Sequence, residues 1–192
     1  MSKFLIVGLG NIGSEYAGTR HNIGFDIADS FAEKHGGRFN PDRLADKCEL
    51  RWKGKSVILI KPTTYMNLSG RSVKYWKDKE SVDIKNMLVL LDDLALPLER
   101  LRVRPTGSDA GHNGLKSIQE ALGTNEYPKL RFGIGSDFPK GGQSDYVLGR
   151  WTDAERPMVN FKKEKCIEII ETYLTAGIER TMNQYNKLVF IL

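Results

Sequence analysis

Residues 87–91 read Met-Leu-Val-Leu-Leu, an unbroken apolar run that stops at Asp92-Asp93. Five residues are too few for a helix. The absence of polar alternation predicts a strand buried on both faces, so a layer must cover each side of the sheet. Lys3–Val7 and Leu130–Ile134 read as further strands. Helical stretches supply the covering layers. Asn22–His35 has apolar residues at helical spacing and closes on Gly36-Gly37, and Leu68–Lys79 is helical with Ser69 as a plausible cap. Asn113–Leu122 ends at Gly123, and Ala154–Ala176 is a long amphipathic helix with Ile167, Ile170 and Leu174 on its apolar side. Lys47–Trp52 and Val57–Lys61 flank Lys53-Gly54-Lys55, a hairpin signal. In Glu99–Arg104 the arginines 100, 102 and 104 alternate with Leu101 and Val103, as in a strand with one face out. Strands alternating with helices, and no repeat or low-complexity linker, predict one α/β domain over residues 1–192 with a mixed sheet flanked by helices.

The chain is 40 % hydrophobic and 28 % charged, as expected of a globular protein. No apolar run approaches the ~20 residues of a membrane helix. The N-terminus shows neither a signal-peptide apolar core nor an Arg- and Ser-rich presequence. Cys48 and Cys166 are far apart and match no metal spacing, so they read as buried reduced thiols and the expected compartment is the cytoplasm. A net charge of +5 permits a nucleic-acid partner without requiring one. Residues 105–110 and 137–144 are rich in Gly, Pro and polar residues and are expected to be mobile loops.

After the first strand, Gly8, Gly10 and Gly13 spell G-x-G-x-x-G, the spacing of a dinucleotide loop. That loop should open a helix directly, and an acidic residue should close a second strand about 20 residues on. Here the helical pattern begins only at Ile23, and Asp26 and Asp29 lie inside it. A tight turn leaving a buried strand fits better. Two of the three histidines stand in related settings, "RHNIG" (His21) and "GHNGL" (His112), each at a passage from loop to helix. One reading makes Asn22 and Asn113 helix caps and the histidines incidental neighbours. The other gathers Asn11, His21, Asn67, Asp92 and Asn113 beyond the carboxyl ends of the strands, where ligands of open α/β sheets bind. Such a set suits hydrolysis by activated water. An imidazole takes the proton, a carboxylate fixes its tautomer, and amides steady a developing oxyanion. No G-x-S-x-G nucleophile is present, and neither cysteine neighbours a histidine. The rival use of Asp92, Asp93 and histidine as metal ligands lacks any H-E-x-x-H or comparable spacing.

The blocks "VGLGNIGSEYAGTRHNIG", "KPTTYMNLSG", "LLDDLALP", "GHNGLKSI" and "LRFGIG" occur in an order and spacing that resembles the bacterial peptidyl-tRNA hydrolase family over nearly the whole chain. The resemblance implies a monomeric cytoplasmic α/β esterase without cofactor or metal. Its substrate would be peptidyl-tRNA, cleaved at the ester to the terminal ribose so that tRNA is recycled from stalled translation. It implies His21 as catalytic base, Asp92 as the carboxylate holding it, and Asn11 as the residue separating blocked from free aminoacyl-tRNA. Tyr16, Tyr65, Asn67 and Asn113 match substrate-contacting positions, Met66 and His112 line the same cleft, and Arg104 and Arg131 match the grip on the tRNA 5′-phosphate. Ile12 stands where the family commonly has proline, Asp93 where glutamate is usual, and Arg104 where lysine is common. Residues 105–110 read "PTGSDA" in place of a frequent glycine-rich stretch. A non-catalytic RNA-binding protein on this scaffold, like a plant chloroplast relative that serves in intron splicing, is the alternative. The intact His21, Asp92 and Asn11 argue against it.

Overall fold

The computed structural model describes residues 2–192. Seven strands form one mixed sheet: β1 (Lys3–Gly8), β2 (Asn40–Asp42), β3 (Ala45–Trp52), β4 (Lys55–Pro62), β5 (Met87–Asp93), β6 (Leu101–Arg104) and β7 (Lys129–Gly133). Their spatial order is β2-β3-β4-β1-β5-β7-β6. The central strands β4, β1, β5 and β7 run parallel, and antiparallel pairs close both edges. The apolar runs met in the sequence are these central strands, and every residue of β5 is buried. Six helices accompany them: α1 (Ile23–Lys34), α2 (Ser69–Lys79), α3 (Asn113–Leu122), α4 (Gln143–Val147), α5 (Arg156–Ala176) and α6 (Ile178–Tyr185).

Alternate strand residues feed two separate cores. Phe4, Ile6, Leu88 and Leu90 pack with Ile27 and Phe31 of α1 and Ile170 of α5. Leu5, Val7, Val89 and Leu91 pack with Val73 and Trp76 of α2 and Leu115 and Ile118 of α3. Each fully buried side chain of this size contributes about 1.5–3 kcal/mol, so both layers are needed to keep the sheet dry. The chain leaves β1 toward β4 on one side, while β5 lies on the other. Loops diverging at such a switch point open a crevice outside the carboxyl ends of β1 and β5.

The glycines after β1 serve packing. A Cβ on Gly8 would lie 2.3 Å from the Gly24 carbonyl oxygen, and one on Gly24 would lie 2.5 Å from the Leu9 nitrogen. The two glycines let α1 press directly against the strand that precedes it. Lys53 and Gly54 both have positive φ, 48° and 77°, the geometry of the expected hairpin turn.

Several local expectations need correcting. Ser69 is not the cap of α2 but its first residue, and its hydroxyl donates to the Met66 carbonyl. Neither Asn22 nor Asn113 caps a helix with its side chain. The stretch 137–144 runs into α4 at Gln143. Strand β2 and helix α6 carried no sequence signal we read. Cys48 and Cys166 are buried and unpaired, as expected. Among the described residues no helix is long and apolar enough to cross a membrane.

Candidate active site

His21 lies in a single turn of 3-10 helix, Arg20–Asn22, that leads into α1. Arg20, 6 % exposed, anchors this turn. Its guanidinium bonds Glu155 Oε1 at 2.7 Å and the Tyr146 carbonyl at 3.1 Å and lies 4.1 Å from the Tyr146 ring centre. The peptide of Arg20 donates to the Gly149 carbonyl. The turn bearing His21 is thus fixed to the far wall formed by α4 and the loop after it.

Asp92 is the penultimate residue of β5 and only 3 % exposed. Its two oxygens each lie 3.0 Å from His21 Nδ1, and Oδ1 also lies 2.9 Å from His112 Nε2. The tautomers follow from the partners. The Gly114 peptide N–H donates to His112 Nδ1 at 3.1 Å, so that nitrogen carries no proton and Nε2–H donates to Asp92. An ionised Asp92 accepts only, so His21 donates through Nδ1 and keeps the Nε2 lone pair free. Burial alone would raise the Asp92 carboxyl. The imidazoles of His112 and His21 outweigh that and hold it well below the usual carboxylate range. The neighbouring Asp93 turns elsewhere: Oδ1 accepts the Ala95 N–H, and Oδ2 lies 3.5 Å from Arg131 Nη1.

A cleft of about 900 Å³ opens here. Eight residues singled out in the sequence line it: Asn11, His21, Met66, Asn67, Asp92, His112, Asn113 and Arg131. Tyr16, Tyr65 and Arg104 do not. Tyr16 closes a 3-10 turn whose carbonyl holds Thr19, and Tyr65 is 49 % exposed. Arg104 sits half-buried on the edge strand β6, its guanidinium on the Val103 carbonyl. Arg131 is buried, and its Nη2 donates to the Ser108 carbonyl at 2.7 Å. Two features of the site escaped the sequence reading. One is the wall given by Phe138, Gln143, Ser144, Val147 and Leu148, foreshadowed only by the glycine-rich composition of 137–144. The other is Asn22, whose carboxamide bonds both backbone groups of Asn11.

His21, Asp92 and His112 offer atoms within 4.8 Å of one another, close enough in principle to hold a metal ion. The hydrogen bonds oppose it. A metal on His112 Nε2 would move that ring's proton to Nδ1, where it would face the Gly114 N–H.

Fold and site together define a mixed-sheet α/β protein with a carboxylate-anchored histidine in an amide-lined cleft at the carboxyl ends of its strands. The profile of the peptidyl-tRNA hydrolase family matches residues 5–190. A peptidyl-tRNA hydrolase of Parabacteroides distasonis is 53 % identical over 184 residues, covering 96 % of this chain and 98 % of its own. One from Phocaeicola vulgatus is 52 % identical and covers 96 % and 99 %. The crystal structure of peptidyl-tRNA hydrolase from Acinetobacter baumannii superposes with a TM-score of 0.91 at 33 % identity, covering 97 % of this chain and 95 % of that one. The chain belongs to the peptidyl-tRNA hydrolase family.

Proposed function

We propose that this protein is an esterase that hydrolyses peptidyl-tRNA, releasing the peptide from the terminal ribose and returning the tRNA to translation. The observation that carries the mechanism is the His21–Asp92 pair with its free Nε2 in the cleft. A water bound at His21 Nε2 loses its proton to the ring as its oxygen attacks the ester carbonyl carbon. Asp92 holds the ring in position and stabilises the imidazolium that forms. The carboxamides of Asn67 and Asn113, both exposed and lining the cleft, donate to the developing oxyanion. The tetrahedral intermediate collapses with cleavage of the bond to the ribose oxygen, which takes the proton back from His21. Met66 and His112 line the cleft beside them, and Tyr16 and Tyr65 contact substrate beyond it. No metal or cofactor takes part.

Arg104 and Arg131 are assigned to the 5′-phosphate side of the tRNA, a role that suits the paired donors of a guanidinium. Arg131 already serves Asp93 and Ser108, so Arg104 is the more available cation. Residues 1–192 act as one domain, as a cytoplasmic monomer.

Incubation of the protein with a purified N-acetylated aminoacyl-tRNA, following loss of the ester, tests the reading. Release of the acetylated amino acid is expected. Retention of the tRNA with the ester intact would favour a non-catalytic RNA-binding protein.

A further inference from the structure

Asn22 follows the proposed base directly, yet its side chain serves another residue. Its Oδ1 accepts the Asn11 peptide N–H at 2.8 Å and its Nδ2 donates to the Asn11 carbonyl at 2.9 Å. At 3 % exposure it has no contact with the cleft itself. Both backbone groups of Asn11 are therefore fixed by one buried carboxamide whose orientation is dictated at each end. The Asn11 side chain is fixed in turn. Its Oδ1 accepts the Met66 peptide N–H at 2.7 Å. That N–H is aimed by Tyr65, a non-glycine residue at φ 62° and ψ 158°. Such a backbone is strained for a residue with a side chain and persists only where its surroundings enforce it.

The Met66 N–H takes one lone pair of Oδ1 and so fixes which end of the carboxamide is the nitrogen, and the Nδ2 hydrogens have no partner among the described residues. We infer that Asn22 is a positioning residue: by holding both backbone groups of Asn11 it keeps the Nδ2 donor of Asn11 on the cleft, where the family resemblance places the separation of acylated from free amino groups and where an acyl carbonyl would accept. This rests on the proposed reaction. A free aminoacyl ester presents an ammonium at the same place. Donor would then meet donor, and the site's own buried polar group would lose its partner, which is how a site rejects an analogue strongly.

The experiment compares kcat/KM for N-acetylated and free aminoacyl-tRNA in the wild type and three variants. Asn11→Asp keeps an oxygen for the Met66 N–H and puts an acceptor where Nδ2 stood. The preference for the acetylated substrate should collapse, by about tenfold or more for one lost hydrogen bond and a new attraction to ammonium. Asn22→Asp, nearly isosteric, keeps the bond to the Asn11 N–H but sets oxygen against the Asn11 carbonyl. The preference should fall in the same direction while the acid limb of the kcat–pH profile, which reports the base, stays in place. Adding Asn22→Asp to Asn11→Asp should reduce the preference no further. A wild-type preference in Asn11→Asp would overturn the acceptor reading. A wild-type preference in folded Asn22→Asp, or a shifted acid limb with the preference intact, would overturn the role of Asn22. If Asn22→Asp does not fold, Asn22→Ser, which can reach one Asn11 backbone group only, takes its place with the same criteria. No ester loss from acetylated substrate in the wild type would instead defeat the reaction itself.

Discussion

The nitrogen that His112 turns away from Asp92 accepts the Gly114 N–H and so caps α3 in place of the expected Asn113. Both ring nitrogens of His112 are thereby engaged, so in the proposed mechanism proton transfer falls to His21, whose Nε2 is free. That His21 and Asp92 could share a site was one reading of the sequence, because both lie at or beyond the ends of apolar strands, while their pairing, which the hydrogen bonds show, was what the family resemblance implied. The capping exchange was not, since Ser, Thr, Asp and Asn are the usual caps and an imidazole at that position carries no propensity signal. His21→Ala should lower kcat on the order of 10²–10⁴-fold in a protein with unchanged circular dichroism. Near-normal kcat would remove His21 as base. Asp92→Asn presents one oxygen and one NH₂ to two N–H donors, so it should lower both activity and Tm. The carboxyl of Asp92 is depressed in the folded protein, so its contribution is present above the unfolded value of about 4 and is lost as pH falls through the lower folded one. The Tm gap between wild type and Asp92→Asn should therefore be full at pH 7 and shrink below about pH 4; a gap that is constant down to pH 2 would contradict the ionic account. Activity should survive dialysis against EDTA. A loss restored by one divalent ion would show that the His112 tautomer is not locked as described.

At the scale of elements, α1 shows why some of the fold was readable and some was not. Its apolar spacing and its closing glycines marked it, and the Gly8–Gly24 contact explains the glycine of "RHNIG" without any ligand. The short elements β2, α4 and α6 are read poorly, because three to eight residues carry too little periodicity for a pattern to stand out. Asp26, in the first turn of α1, is a local electrostatic cost. Burial pushes its carboxyl up to about 6, with Asp29 adding to the rise and Lys163 and Lys61 opposing it. A carboxyl raised in the folded state favours folding only while protonated. Its relative contribution is full below the unfolded value near 4 and is lost as pH rises through about 6. Asp26→Asn should accordingly raise Tm at pH 8 and leave it unchanged at pH 4. An equal shift at both values would mean that packing, not charge, governs the position.

At the scale of the whole molecule, the question is where a long anionic substrate can lie once its ester occupies the cleft. The edge of the sheet nearest the loop 105–111 carries cations in register: Arg102 opposes Arg131, and Arg104 opposes Lys129. Like charges directly opposite destabilise a strand pair, so each must be relieved by another partner. The relief is uneven. Lys129 turns its ammonium to the Asn125 and Tyr127 carbonyls, and Arg131 is held by Asp93 and Ser108. Arg102 and Arg104 have no acid partner among the described residues and are half-buried at the open edge. Composition alone could not show this, since a net charge of +5 says nothing of where the cations stand. Phosphate contacts make binding salt-dependent and carry no catalytic information. Arg104→Ala should therefore raise KM for full-length peptidyl-tRNA and flatten its dependence on salt, while a short 3′ fragment lacking the 5′-phosphate is turned over as by the wild type. Arg131→Ala should behave differently. It removes the tie between Asp93 and the loop leading to His112, so both substrates should lose rate, in addition to any loss of phosphate contact. If Arg104→Ala harms the two substrates equally, Arg104 supports the fold and the phosphate lies elsewhere. If Arg131→Ala spares the fragment, its bonds to Asp93 and Ser108 are dispensable and its role is confined to the tRNA.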